Sequence, residues 1–311
     1  MIRSKKKKVF LLLKGGLGNQ LFQYAAGCFV AEILDRKLII DTKSGFSRDR
    51  YKRSYELARI LPEIKETSFY HRIAIILYSI SQKFLNKKEP FSGVNLKWYG
   101  NFIIDEKNQE YLPQFDGNLI NIFKKKGDIW LSGYFQSYKY LESSMIKNTL
   151  AKSIPSPVDS KYMEMGKKIA NSNSVAIGLR LYEETTDPNR YSKGDSIINE
   201  DSINKLIDFF LSKNSKTQFI VFSTKRSNAI NKLNLPDSTI YLTADNGYSD
   251  ALSSIWLMSQ AFHHIITHST FYWWGAWFSM QNYGGAKAGQ KIFAPKGFVN
   301  ADAICKDWLT Y

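Results

Sequence analysis

Cysteine is nearly absent. The 311-residue chain has two, Cys28 and Cys305, far apart and in apolar or near-terminal settings. That excludes a disulfide framework and points to a reducing compartment. Histidine is scarce as well: His71, His263, His264 and His268 have no companion cysteines or carboxylates at ligand spacing, and no Asp-x-Asp occurs. The sequence therefore offers no metal centre. Long hydrophobic runs are missing too. The apolar stretch 9-VFLLL-13 is far too short for a signal-peptide core or a membrane span, so a cytoplasmic protein is expected, peripheral at most to the inner face of the cell membrane. Low-complexity segments are lacking, which excludes extended disorder.

Acidic residues fall short of basic ones, 28 against 43, for a formal net charge of +15. Such a balance attracts anionic surfaces, nucleotides or nucleic acid over long range and says nothing about fold. Part of it sits on Arg3, Lys5, Lys6, Lys7 and Lys8, and more over 48–53 and 124–126. Any one run reads as a solvated face or a loose tail; together they are compatible with anionic lipid head groups. The segment 69-FYHRIAIILYSISQKFL-85 is read as a core helix, with a surface helix lying on lipid as the alternative.

What is present is core material, with 44% hydrophobic and 14% aromatic residues. The length suggests two domains of about 150 residues each. Residues 9–13 read as a buried strand, 14–19 as a turn, 20–34 as a helix and 38-LIID-41 as a second strand. After a mixed middle segment comes 129-IWLSGYFQSYKYL-141, a strand running into an aromatic, polar turn. The segment 153-SIPSPVDS-160, with two prolines and three serines, marks a linker, dividing the chain into 1–152 and 153–311. Beyond it strands at 174–180, 218–223, 239–242, 264–268 and 291–295 alternate with helices at 201–213, 225–233, 250–261 and 273–280. Alternation in both halves implies parallel sheets with ligands at the edge where strands end. The expected fold is α/β, with two Rossmann-like domains and a cleft between them.

Three strand-to-helix loops then carry the chemistry. In 14-KGGLGNQ-20 the glycines permit close backbone approach, but the spacing is neither Gly-x-Gly-x-x-Gly nor a Walker A loop. A tight turn with Asn19 capping the helix accounts for it equally well. In 178-GLRLYEETTD-187 a strand delivers Arg180 into a cluster of carboxylates with Tyr182; an arginine there can hold a diphosphate bidentately, or pair with Glu183 or Glu184. In 267-THSTFYWWGAW-277 a strand gives way to His268, Ser269 and Thr270 at a helix start, an anion site or a plain hydroxyl cap. Their convergence on one edge favours a nucleotide-diphosphate ligand. Basic stretches interleaved with aromatics also suit a carbohydrate- or nucleic-acid-binding protein. Trp273, Trp274 and Trp277 fall at helical spacing, which places them in a core and argues against nucleic acid.

Gly15-Gly16-Leu17-Gly18-Asn19-Gln20-Leu21-Phe22-Gln23-Tyr24-Ala25, 132-SGYFQSYKYL-141, 269-STFYWWGAW-277 and 294-APKGF-298 occur in order over nearly the whole chain. Together they resemble the α-1,2-fucosyltransferases of glycosyltransferase family 11. The resemblance implies a GT-B-like fold and metal-independent, inverting transfer of L-fucose from GDP-β-L-fucose to a galactoside hydroxyl, with no cofactor. It further implies that the second domain holds the nucleotide sugar, while the first contributes acceptor contacts and the Gly-rich loop. By analogy Asn19 faces the reacting centre, with Gly16 and Gly18 in its loop. Arg180 grips the β-phosphate, and His268, Ser269, Thr270 and Phe271 line the diphosphate and base pocket. Where the family has His-x-Arg-Arg-x-Asp, this chain has Gly178, Leu179, Arg180, Leu181, Tyr182 and Glu183; Glu183, Glu184 and Asp187 are the candidates for a general base, Glu183 first among them. Where relatives often carry aspartates after residues 218–223, it has Thr224 and Lys225. A member using another nucleotide-linked deoxysugar is the alternative. An oligosaccharide acceptor, free or lipid-linked, would give the basic segments and an anionic membrane surface a shared purpose.

Overall fold

The computed structural model describes residues 7–47, 49, 52–61, 64–68, 72–73, 97–98, 101–105, 127–150, 154–180, 199–296, 298 and 301–311. The expected helix over 69–85, the basic residues at 3–6 and 124–126, and Glu183, Glu184 and Asp187 lie outside the described residues, apart from positions 72 and 73. The chain divides into two compact units, Met1–Ser153 with Val299–Ala303, and Ile154–Phe298 with Ile304–Tyr311.

The first unit opens with β1 (Lys8–Leu12), α1 (Leu17–Ile33) and β2 (Lys37–Asp41). Further along come β3 (Lys97–Trp98), β4 (Asn101–Asp105), β5 (Ile129–Ser132) and α2 (Ser144–Thr149). The sheet order is β2-β1-β5-β4-β3. Only β3 runs antiparallel to its neighbour; the other pairs are parallel. β1 is apolar on both sides because a parallel strand is covered on both faces: Phe10 stacks on Trp130 with ring centroids 4.1 Å apart, while Leu11 meets α1 at Gly27, where a Cβ would come within 3.0 Å of its Cδ2. Lys8 is not part of a loose tail, since it belongs to β1 and its backbone N–H donates to Asp128 Oδ1 at 2.8 Å.

The helix start differs from the expectation. Gly16, in extended backbone, is the N-cap, and it makes no side-chain cap bond. Asn19 lies inside the first turn. The physical reason is the turn itself: Gly15 takes φ +82, open to glycine at little cost, and the Gln20 N–H closes the first turn on Gly16 O at 3.0 Å. No capping side chain is needed.

The second unit contains α3 (Ser160–Ala170), β6 (Ser174–Gly178), α4 (Glu200–Lys213) and β7 (Gln218–Ser223). It continues through α5 (Asn228–Asn231), β8 (Ile240–Thr243), α6 (Ala251–Ser259), β9 (His263–Ile266), α7 (Thr270–Tyr283), β10 (Ile292–Ala294) and β11 (Leu309–Thr310). The order β11-β10-β9-β6-β7-β8 is parallel throughout. It is the Rossmann order, with its reversal between β6 and β9. The core joins Val175 and Ile177 of β6 to Phe219, Val221 and Ile265 and to Ile203, Ile207 and Phe210 of α4. Trp273, Trp274 and Trp277 of α7 are buried, as their spacing implied. The helix expected over 225–233 is a single turn, because Ser227 is extended and the Ser223 hydroxyl donates to Lys225 O at 2.9 Å, holding a non-helical bend. α7 instead begins three residues earlier than expected and ends at Gly284, φ +90.

Two adjacent histidines in β9 give this unit a pH dependence. Burial holds His264 neutral down to about 3, and burial together with the Lys291 charge holds His263 neutral down to about 4. In the unfolded chain both take up protons near pH 6.5. A depressed folded-state pKa means that stability is full above about 6.5 and drains as pH falls towards the folded values. Fully buried His264 alone accounts for about 2 kcal/mol lost between pH 7 and pH 5. Urea midpoints measured across that interval should fall more steeply for the native chain than for His264→Gln; equal slopes would contradict the assignment.

Candidate functional site

In the second unit the carboxyl ends of β6 and β9 meet at the order reversal, where a Rossmann sheet opens a crevice. β6 delivers Arg180. Its backbone is fixed before its side chain acts: the Arg180 N–H donates to Thr267 Oγ1 at 2.7 Å, and the Thr267 hydroxyl donates to Gly178 O at 2.9 Å. β9 delivers residues 267–270, and Ser269 is the N-cap of α7 with no side-chain cap bond. A cavity of about 240 Å³ lies at this edge, lined by Arg180, Thr224, Tyr248, Ser254, Ser269 and Phe271 among others. A guanidinium at one wall and the amino end of a 14-residue helix at another give the cavity an electropositive end suited to an anion. Its other lining groups are hydroxyls, aromatic rings and the aliphatic side chains of Leu242, Ala244 and Ala251, a mixture suited to a ribose and a base.

Of the residues singled out from the sequence, Arg180, Thr224, Ser269 and Phe271 line this cavity. Thr270 is the first residue of α7. His268 stacks in parallel on Phe298 of the 294–298 motif, centroids 5.9 Å apart. Sequence reasoning missed Tyr248, Ser249 and Ser254, which come from the loop after β8 and from α6. Tyr248 is held from outside the cavity by Lys161, whose Nζ lies 4.0 Å from its ring centroid and donates to Asn246 O. Tyr162 packs edge-on to it with centroids 5.2 Å apart. The signal available was a tyrosine beside Gly247 in a loop following a strand.

The first unit has its own carboxyl edge, where the loops after β1 and β5 leave neighbouring strands. Gly16, Gly18 and Asn19 are there. Asn19 Oδ1 accepts from Gln136 Nε2 at 2.7 Å, and Lys14 Nζ sits 5.0 Å from the Tyr134 ring centroid. Two fully buried glutamines hold the loop. Gln23 accepts from the Lys14 N–H at 2.9 Å and donates to Lys14 O at 3.0 Å. Gln20 donates to Gly15 O and Ser54 O and accepts from the Glu56 N–H. Asp41, which ends β2, is buried, and its Oδ1 accepts the Lys43 and Ser44 N–H groups. It therefore braces a turn through this oxygen. Among the described residues no cluster of His, Cys, Asp or Glu could hold a metal ion, and no helix is long and apolar enough to cross a membrane. Both cysteines are buried, and burial pushes the Cys28 thiol up to about 12.

Two α/β units, one in Rossmann order with an arginine and a helix start at its reversal, define the class of α/β enzymes that bind ligands at sheet edges. The chain belongs to Glycosyl transferase family 11, whose model matches residues 8–308. It is 26% identical over 289 residues to the O-antigen biosynthesis glycosyltransferase WbnK of Escherichia coli, spanning 86% of this chain and 89% of that one. It is 24% identical over 307 residues to an alpha-1,2-colitosyltransferase of Escherichia coli, spanning 96% of each. Solved structures with similarity include an Arabidopsis thaliana FUT1 variant in complex with GDP, at TM-score 0.48 and 14% identity over 93% of this chain and 70% of that one. The fucosyltransferase NodZ from Bradyrhizobium is similar at TM-score 0.44 and 10% identity, over 88% and 92%.

Proposed function

We propose that this glycosyltransferase moves L-fucose from GDP-β-L-fucose to a galactoside hydroxyl in α-1,2 linkage, on a surface glycan or its lipid-linked precursor. The observation that supports this reading is the meeting of Arg180, Ser269 and the start of α7 at one cavity on the order reversal of the second unit. Inversion is a single displacement: the acceptor oxygen bonds to the anomeric carbon as the bond to the diphosphate breaks, and the acceptor proton is lost to a base. Without a metal, the charge that grows on the diphosphate falls to the Arg180 guanidinium and the α7 N–H groups. Ser269, Thr270, Phe271 and His268 accompany the diphosphate and base. In this reading Asn19, in the loop with Gly16 and Gly18, is assigned to the sugar, and Glu183 takes the acceptor's proton.

A second reading, with another nucleotide-linked deoxysugar as donor, is favoured by the name of the colitosyltransferase relative. Gly178, Leu181, Thr224 and Lys225, which depart from the family pattern, favour it too. The test is to incubate the full chain, with chelator present, with GDP-fucose or other GDP-, UDP- and dTDP-linked sugars and a panel of free and lipid-linked galactosides. A fucosylated product with released GDP is expected. Transfer from a different donor alone would replace the first reading by the second, and absence of transfer from every donor would overturn both.

A further inference from the structure

The peptides that carry Arg180 are tied at every polar group between 178 and 180. Gly178 O accepts from the Thr267 N–H and hydroxyl, at 3.0 and 2.9 Å. The Leu179 N–H donates to Phe222 O at 2.9 Å, and the Arg180 N–H donates to Thr267 Oγ1 at 2.7 Å. The remaining group, Leu179 O, accepts from the Tyr272 hydroxyl at 3.0 Å. Tyr272 is buried, and its ring lies directly on Gly178: a Cβ at 178 would stand 2.4 Å from Tyr272 Cγ and 2.7 Å from its Cβ. Side chain and backbone thus exclude one another here. Any residue larger than glycine at 178 displaces the ring, and the ring is what brings the phenol to Leu179 O. Burial holds that phenol protonated, against the opposing influence of the Arg180 charge. It remains a donor at any ordinary pH.

We propose that Tyr272 is a positioning residue for Arg180, acting through the Leu179–Arg180 peptide, in an arrangement that only glycine at 178 admits. The phenol fixes the plane of the peptide from which the Arg180 side chain departs, and so aims the guanidinium along the cavity wall that both residues line. This rests on the reading of Arg180 as a diphosphate contact.

The test measures affinity for nucleoside diphosphate against the matching monophosphate, with GDP/GMP and UDP/UMP run in parallel. The ratio isolates the grip on the β-phosphate, which a merely structural defect would leave unchanged. The native chain should prefer the diphosphate, and Arg180→Ala should abolish the preference. Tyr272→Phe keeps the ring over Gly178 and loses only the hydroxyl; its preference should fall about fivefold, the worth of one hydrogen bond, with monophosphate affinity unchanged. Gly178→Ala reaches the same end by pushing the ring aside and should give a loss of similar size. If Tyr272→Phe retains the native ratio while Arg180→Ala loses it, the positioning role is wrong and the function of Arg180 stands. If the native chain shows no diphosphate preference with either base, the reading of Arg180 fails, and this inference falls with it.

Discussion

Replacing Arg180 with alanine is expected to lower glycosyl transfer by about 10²–10³-fold, the scale of losing one preorganised donor to a developing negative charge. The variant should stay folded, because the Leu179–Arg180 peptide is held through its main-chain groups, the Arg180 N–H by Thr267 and Leu179 O by Tyr272. Arg180→Lys keeps the charge but loses the planar fork, so it should recover only part of the rate. The loss should appear in kcat, since the charge on the diphosphate is greatest as the sugar departs. Single-turnover assays with saturating donor, alongside thermal melting to confirm the fold, decide the matter. A folded alanine variant with near-native turnover would remove Arg180 from the chemistry and leave the cavity without its cation.

The strands of the second unit were legible because a parallel strand covered on both faces reads as an unbroken apolar run, as in 174-SVAIG-178 and 218-QFIVFS-223. β4 was not, because its apolar run is only Phe102, Ile103 and Ile104 in a segment of mixed character. Arg180 and Ser269 could be read as edge residues because each follows a strand, and position along the chain is enough to say so. Gly178 and Tyr272 could not, since what joins them is the shape of a ring against a bare α-carbon, and nothing in either local sequence records it. The Gly-rich loop was half legible. Its glycines point to a close approach and Asn19 stands out as the amide, whereas Gln20 and Gln23 read only as part of the helix over 20–34. Their clue was polarity in the wrong place, two glutamines on an otherwise apolar helix, which burial without partners would make costly.

That polarity yields the largest expected effect on stability. Gln20→Leu conserves bulk and removes every hydrogen bond of the amide, leaving Gly15 O, Ser54 O and the Glu56 N–H without this partner. An orphaned buried group costs about 1–3 kcal/mol. Three such groups, partly relieved by water at the Ser54 and Glu56 side, come to about 4 kcal/mol, a large share of the 5–15 kcal/mol that holds a typical protein together. Gln23→Leu strips two bonds from Lys14 and should cost about half as much. Gln20→Glu offers no rescue, because a carboxylate facing the two carbonyl oxygens is an acceptor against acceptors. Hydrogen exchange locates the damage as well as sizing it: protection should be lost first over 14–20 and 54–57, while the strands of the second unit keep theirs. A Gln20→Leu chain within about 1 kcal/mol of native stability in denaturant titration, with the loop still protected, would show that the glutamine holds nothing. The Gly-rich loop would then owe its shape to the glycines alone.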